Sequence, residues 1–299
     1  MLAMPMPEHS PGTWSRRPGF KIGVFAALIT VAIVVALSAI AQAYPAGLRS
    51  KGVASTTAPT SRVSVTRASA SAGISRSITV VGIGDSVTSG TNCNCEPFLG
   101  LYASELASQQ DLTTSAVNLG VPGWTSSQML ASLTQPGAFR DQVAKADILL
   151  VTIGANDLNP LDENSSIGCS ASCYEPLVDS VGRNVGLIIA AAQAIHPGHP
   201  ATILVTDYWN VFQDGDVGTA ENGAAFQGFS DTLTRAESTQ VCNAARQAGV
   251  TCVSLYQPFK GDGSQNPTSL LAADGDHPNA AGHQLIASTL LANTPKPIP

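Results

Sequence analysis

Apolar, β-branched runs recur at Ile78–Ile83, Thr114–Leu119, Ile148–Ile153, Thr202–Thr206 and Thr251–Leu255. A helical pattern follows each of them. These patterns lie over Phe98–Ser108, over Ser126–Ala146 with a break at Pro136-Gly137, over Pro176–Ile195, over Phe226–Ala248, and after Pro278. Continuous Val/Ile/Leu runs read as strands buried on both faces. Strand and helix alternating five times predict a parallel sheet with helices on both sides. Right-handed crossovers then leave few ways to connect it. No internal repeat is visible.

In such a sheet every strand ends at the same carboxyl edge, where ligands bind. The first run ends in Gly84-Asp85-Ser86, and the second continues as Asn118-Leu119-Gly120-Val121-Pro122-Gly123-Trp124-Thr125. The third ends in Gly154-Ala155-Asn156-Asp157, and Asp274-Gly275-Asp276-His277-Pro278-Asn279 precedes the last helix. These segments supply the parts of an acyl-transfer site. A serine hydroxyl needs a histidine base, and the histidine needs a carboxylate to fix its tautomer. Ser86, His277 and Asp274 fill those roles. Backbone N–H groups at Ser86 and Gly123, with the Asn156 amide, would face the developing oxyanion. Taken singly, each segment is an ordinary turn or helix cap. Only their joint occurrence at strand ends points to catalysis.

Asp276 competes with Asp274 as the orienting acid, but a residue adjacent to His277 points away from it. Gly120 competes with Gly123, and the spacing to Thr125 favours Gly123. Asp85 and Asp157 read as loop-holding residues that bond nearby backbone. Trp124 and Asp207-Tyr208-Trp209-Asn210 fall at strand ends, where pocket lining and plain packing are both open.

The N-terminal quarter is different in kind. Residues 1–21 are polar and Pro-rich, carry Arg16, Arg17 and Lys21, and read as a cytoplasmic basic tail. Residues 22–41 lack any charge, and about 20 apolar residues suffice to cross a bilayer as a helix. We read 22–43 as an uncleaved signal-anchor. The alternative is a signal peptide cut after Ala41-Gln42-Ala43, whose apolar core is longer than usual for that role. Residues 44–76 are rich in Ser, Thr, Ala and Pro and read as a flexible linker. The folded domain is expected over 77–299.

Charge excludes one class of partner. Only 12% of residues are charged, the net charge is −6, and the body of the chain has no Lys/Arg cluster. The basic footprint of a nucleic-acid binder is absent. Six cysteines, at 93, 95, 169, 173, 242 and 252, suggest disulfides and an oxidising, extracytoplasmic compartment. Cys242 and Cys252 suit a local bridge, whereas Cys93 and Cys95 are expected to pair elsewhere because so short a loop is strained. Neither Cys-x-Cys nor Cys-x3-Cys has the common zinc spacing, so no metal is expected. His196 and His199 read as residues of a helix end, His283 as packing, and Asp214-Gly215-Asp216 as a turn lacking an EF-hand's ligand spacing.

The four segments together resemble the GDSL-type lipases and esterases, the SGNH hydrolases. Gly84-Asp85-Ser86 matches the first block, with Val87 where the family often has Leu. Gly123 matches the second, Gly154-x-Asn156-Asp157 the third, and Asp274-x-x-His277-Pro278 the fourth. The resemblance covers residues 77–294. It implies a flavodoxin-like three-layer α/β/α sandwich with a five-stranded parallel sheet. It further implies serine hydrolysis of carboxylic esters without a cofactor. We expect a monomer acting on a small-molecule, lipid or polysaccharide ester. A nicotinamide enzyme is disfavoured because the third glycine of Gly82-x-Gly84-x-x-Gly is replaced by Val87. An α/β-hydrolase is disfavoured because no Gly-x-Ser-x-Gly elbow surrounds Ser86. A non-catalytic carbohydrate- or lipid-binding protein on the same fold is the remaining alternative.

Overall fold

Each of the five apolar runs forms a strand: β1 (Ser77–Gly84), β2 (Thr113–Gly120), β3 (Ile148–Thr152), β4 (Thr202–Thr206) and β5 (Thr251–Val253). They build one sheet in the order β2-β1-β3-β4-β5, and every neighbouring pair is parallel. The computed structural model of the chain describes residues 76–160, 171–196, 198 and 200–298. The predicted basic tail, the charge-free run over 22–43 and the linker up to residue 75 lie outside those residues, as do Cys169 and His199. Among the described residues no helix is long and apolar enough to cross a membrane.

The strand order reverses direction between β1 and β3. Chains leaving these two strands diverge to opposite faces and open a crevice at the carboxyl edge, where ligands bind in folds of this order. The first and third motif segments therefore stand side by side at the switch point.

Period-two alternation divides the core into two layers. Ile78 and Val80 of β1, with Ile148 and Leu150 of β3, face α2 (Phe98–Gln110) and α9 (Ala280–Ala292). Val81, Ile83, Leu149 and Val151 face the other way, onto α3 (Ser126–Thr134), α4 (Ala138–Val143), α6 (Glu175–Ile195) and α7 (Gly215–Gln247). This is the three-layer α/β/α sandwich with flavodoxin-like strand order. Helix α6 buries Val178, Val181, Val185, Ile188, Ile189 and Ala192, the stripe expected of a helix on a sheet.

Short elements escape the sequence periodicity. They are α1 (Ser86–Ser89), α5 (Ala155–Leu158) and α8 (Tyr256–Lys260), each too brief to show a repeat. Strand β2 lies at the sheet edge and is less covered than expected, with Thr113, Ser115 and Ala116 exposed. Strand β5 stops at Val253, before the predicted Leu255, because Asp207 Oδ1 takes the N–H groups of Leu255 (2.5 Å) and Tyr256 (3.2 Å). Helix α7 starts eleven residues earlier than predicted. Its first part is polar and is separated by a kink at Gly223 (φ 76°), so no apolar stripe marks it.

The expectation that Cys93 and Cys95 pair elsewhere is corrected. Their sulfurs face each other, with Cα atoms 5.1 Å apart. Asn92 and Asn94 both adopt positive φ, 59° and 48°, which folds the loop tightly enough to bring the two together. Cys242 and Cys252 also lie sulfur to sulfur, joining α7 to β5.

The turn after β1 leaves no room for a side chain at its glycine. A Cβ on Gly84 would stand 2.0 Å from Thr88 Oγ1 and 2.5 Å from the Thr152 carbonyl. The second neighbour is backbone of β3 and cannot swing aside. Gly84→Ala is therefore expected to destabilise the domain by about 1–3 kcal/mol or more, measured by urea unfolding. An unchanged midpoint would contradict this packing.

Candidate active site

Asp85 organises the end of β1. Its Oδ1 accepts from the Val87 N–H (3.0 Å) and so caps α1, which makes Ser86 the first residue of that short helix. Its own N–H donates to the Thr152 carbonyl (3.2 Å), tying the turn to β3. Its Oδ2 accepts from the Tyr208 hydroxyl at 2.5 Å. The carboxyl is 1% exposed, and burial pushes it up to about 6 despite these donors and the nearby charge of His277. Ser86 itself is partly exposed.

Gly123 adopts φ +80°, a conformation that side chains disfavour, and the space around its absent Cβ is open. A substrate can thus approach that backbone closely. Gly120, the competing position, is instead a packing residue, since a Cβ there would lie 2.4 Å from the Ser89 nitrogen. Thr125 and Gln128 form a capping box that starts α3.

Asn156 sits in α5, and its Nδ2 donates to the Trp124 carbonyl (3.0 Å). This bond fixes the side chain against the Gly123 loop. Asp157 accepts from both the N–H and the Oγ of Ser126, each at 2.7 Å. It ties the second segment to the third, as expected of a loop-holding residue. Burial raises its carboxyl. Ser86, Gly123 and Asn156 line one cavity of about 310 Å³, closed by Asn159, Val211, Phe212 and Asp276.

In the fourth segment Asp274 stands closer to the His277 ring than Asp276 does. Asp274 Oδ2 lies 2.8 Å from His277 Nδ1, and Asp276 Oδ2 lies 3.6 Å away. Asp274 Oδ1 also accepts from the N–H groups of Asp276 and His277, both at 3.0 Å, so the acid shapes the turn that presents the ring. Burial works to raise Asp274, but the donors from Asn92, the Asp276 N–H and His277 together hold its carboxyl below the usual range. Burial raises Asp276, with His277 opposing. Asn92 was not legible as a site residue. Its amide donates to Asp274 Oδ2 at 2.5 Å from 182 positions away, and only the tight turn at Cys93-Asn94-Cys95 hints at a fixed loop there.

Tyr208 and Trp209 are fully buried, and Trp209 stacks on Phe259 with centroids 4.2 Å apart. They underlie the site without lining it. His196 bridges the Ala192 and Val143 carbonyls (2.8 and 2.9 Å) at the end of α6. Asp214 caps α7 and pairs with Lys260 at 2.5 Å, a structural turn. Cys93, Cys95 and His283 approach one another within 4.8 Å. The donor chemistry does not suit a metal. His283 Nδ1 accepts from the Phe98 N–H (3.2 Å), and burial lowers the ring to about 4. The neutral ring thus carries its hydrogen on Nε2, and neither nitrogen has a free lone pair.

The raised carboxyl of Asp85 has a stability consequence. Its ordinary value is 3.8 and its folded value about 6, so between them the native state holds a proton that the unfolded chain has released. Stability through this group therefore falls as pH rises across that window, by about 3 kcal/mol in all. Asp85→Asn cannot ionise. Its unfolding free energy should gain on the unsubstituted protein as pH rises from 4 to 7, and a constant difference would contradict the assignment.

Among solved structures, a lipase from a goat rumen metagenome superposes with a TM-score of 0.61 at 18% identity, over 72% of this chain and 97% of that one. Acetylxylan esterase Axe2 from Geobacillus stearothermophilus gives 0.54 at 17% identity, over 74% and 95%. A lipase/acylhydrolase from Enterococcus faecalis gives 0.50 at 16%, over 72% and 94%. At such identities the likeness is one of fold. The curated proteins yield no match. Residues 83–285, which include all four motif segments, match the model of the GDSL-like lipase/acylhydrolase family. The chain therefore belongs to the GDSL-like lipase/acylhydrolase family, a family of ester hydrolases.

Proposed function

We propose that the protein is a serine esterase working through an acyl-enzyme, with Ser86 as nucleophile, His277 as base and Asp274 as orienting acid. The observation that carries this reading is the 2.8 Å contact between Asp274 and His277 Nδ1, beside a cavity lined by Ser86, Gly123 and Asn156. With its Nδ1 hydrogen given to Asp274, His277 keeps a lone pair on Nε2. That lone pair takes the Ser86 proton as Oγ attacks the ester carbonyl. The Ser86 and Gly123 N–H groups and the Asn156 amide stabilise the oxyanion. His277 then returns the proton to the leaving alcohol. A water molecule, deprotonated by the same ring, releases the acid and restores Ser86.

The cavity favours a short acyl group on a polar alcohol. At about 310 Å³ it stands at the lower end of the roughly 300–1,000 Å³ of ligand pockets. Asn156 and Asp276 offer hydrogen bonds to hydroxyl groups, while Val211 and Phe212 offer only a small apolar wall. The acetylxylan esterase among the structural neighbours acts on a substrate of that kind. The reaction as written needs no cofactor. We further propose that the catalytic domain lies outside the cytoplasm, as a monomer held to the membrane by residues 22–43, with Cys93–Cys95 and Cys242–Cys252 oxidised to disulfides.

The full-length protein is expected to react with a fluorophosphonate probe and to hydrolyse nitrophenyl acetate and butyrate faster than longer esters. Ser86→Ala should abolish both. Labelling that survives the substitution would rule out Ser86 as nucleophile, and a preference for long chains would overturn the substrate reading. Asn156→Ala should lower kcat by roughly 100- to 1,000-fold, the usual cost of one oxyanion donor. An undiminished kcat would remove Asn156 from the mechanism.

A further inference from the structure

Tyr208 follows β4 and lies beneath the site without touching the cavity. Its side chain is completely buried. The hydroxyl donates to Asp85 Oδ2 at 2.5 Å, and the Ala155 N–H faces the same oxygen. Asp85 caps the helical turn that begins with Ser86. Ala155 immediately precedes Asn156 in α5. One phenol thus meets both segments that leave the sheet at its switch point.

The sheet does not fix their spacing unaided. The β1–β3 ladder ends at Gly84 and Thr152, and the Asp85 N–H to Thr152 carbonyl bond is its last backbone link there. Ser86 and Asn156 lie two and four residues farther on, where the two chains diverge. We infer that Tyr208 is a positioning residue for ester hydrolysis, its hydroxyl joining the Asp85 turn to the Ala155–Asn156 loop and so setting Ser86 against the Asn156 amide. This rests on the proposed roles of Ser86 and Asn156.

The chemistry of the position suits that task. A hydroxyl that donates to a carboxylate must be neutral. Burial, with Asp85 and Glu237 nearby, keeps the phenol protonated far above the working range. Glu237, also fully buried, rises from α7 to the same place. Its Oε1 would stand 2.1 Å from a Cβ on Gly154, so it packs directly against the start of that loop. The bland alternative is that Tyr208 only packs the core, its hydroxyl bonded because a buried phenol must be. The two readings separate on removal of one oxygen, which leaves the ring and its packing intact.

The test compares the full-length wild type, Tyr208→Phe, Asp85→Asn and the double variant, with active sites counted by fluorophosphonate titration. Tyr208→Phe should lower kcat per titrated site by about 10- to 100-fold, the scale of an ångström-level misplacement. KM should stay within about twofold, and probe labelling should slow by the same factor as kcat. If both residues act through their shared bond, the double variant should lose little more than the worse single one. Unchanged kcat, a loss confined to KM, or fully additive losses would each overturn the inference. Failure of the wild type to label at all is a different outcome, one that removes the esterase reading and this inference with it.

Discussion

A buried carboxylate at the switch point of the sheet is the interaction on which this site depends. Asp85 lies where β1 ends, against the carbonyl of β3, with its charge almost wholly removed from water. Such burial is costly unless donors compensate. The Val87 N–H and the Tyr208 hydroxyl offset part of that cost, and each donor fixes something useful. One starts the helical turn that lifts Ser86 to the cavity. The other brings the end of β4 under that turn.

The same device recurs around the edge of the sheet. Asp157 gathers Ser126 and so holds the Gly123 loop to α5. Asp274 gathers Asn92, the Asp276 and His277 N–H groups and the His277 ring. Asp207 takes the N–H groups beyond β5. Short carboxylates are suited to this because they accept several backbone N–H bonds where ladders end. The proposed chemistry occupies the gap that these four acids hold open, and only Asp274 is placed to touch the proposed base.

The layout of the fold was legible because it follows from repetition. Five apolar runs, separated by helical patterns, specify a parallel sheet, and the alternation at Ile78, Val80, Val81 and Ile83 divides its two cores as period two requires. The candidate site was legible because its residues sit in short local patterns at strand ends. What sequence could not carry were contacts between distant segments. Asn92 meets Asp274 across 182 positions, and Tyr208 meets Asp85 across 123. No local spacing encodes either. The start of α7 was hidden for another reason: its first turns are polar, and the kink at Gly223 breaks the period. The approach of Cys93 to Cys95 depends on two asparagines in left-handed conformations, a choice that residue type permits without announcing.

The central claim is that Ser86 carries the acyl group during turnover. The direct measurement is rapid acid quench of the full-length protein with nitrophenyl acetate, followed by peptide mass spectrometry. The account predicts one acetyl group on the peptide containing Ser86, absent in Ser86→Ala. Turnover without any acetylated peptide, or an acetyl group carried by another residue in both proteins, would contradict it.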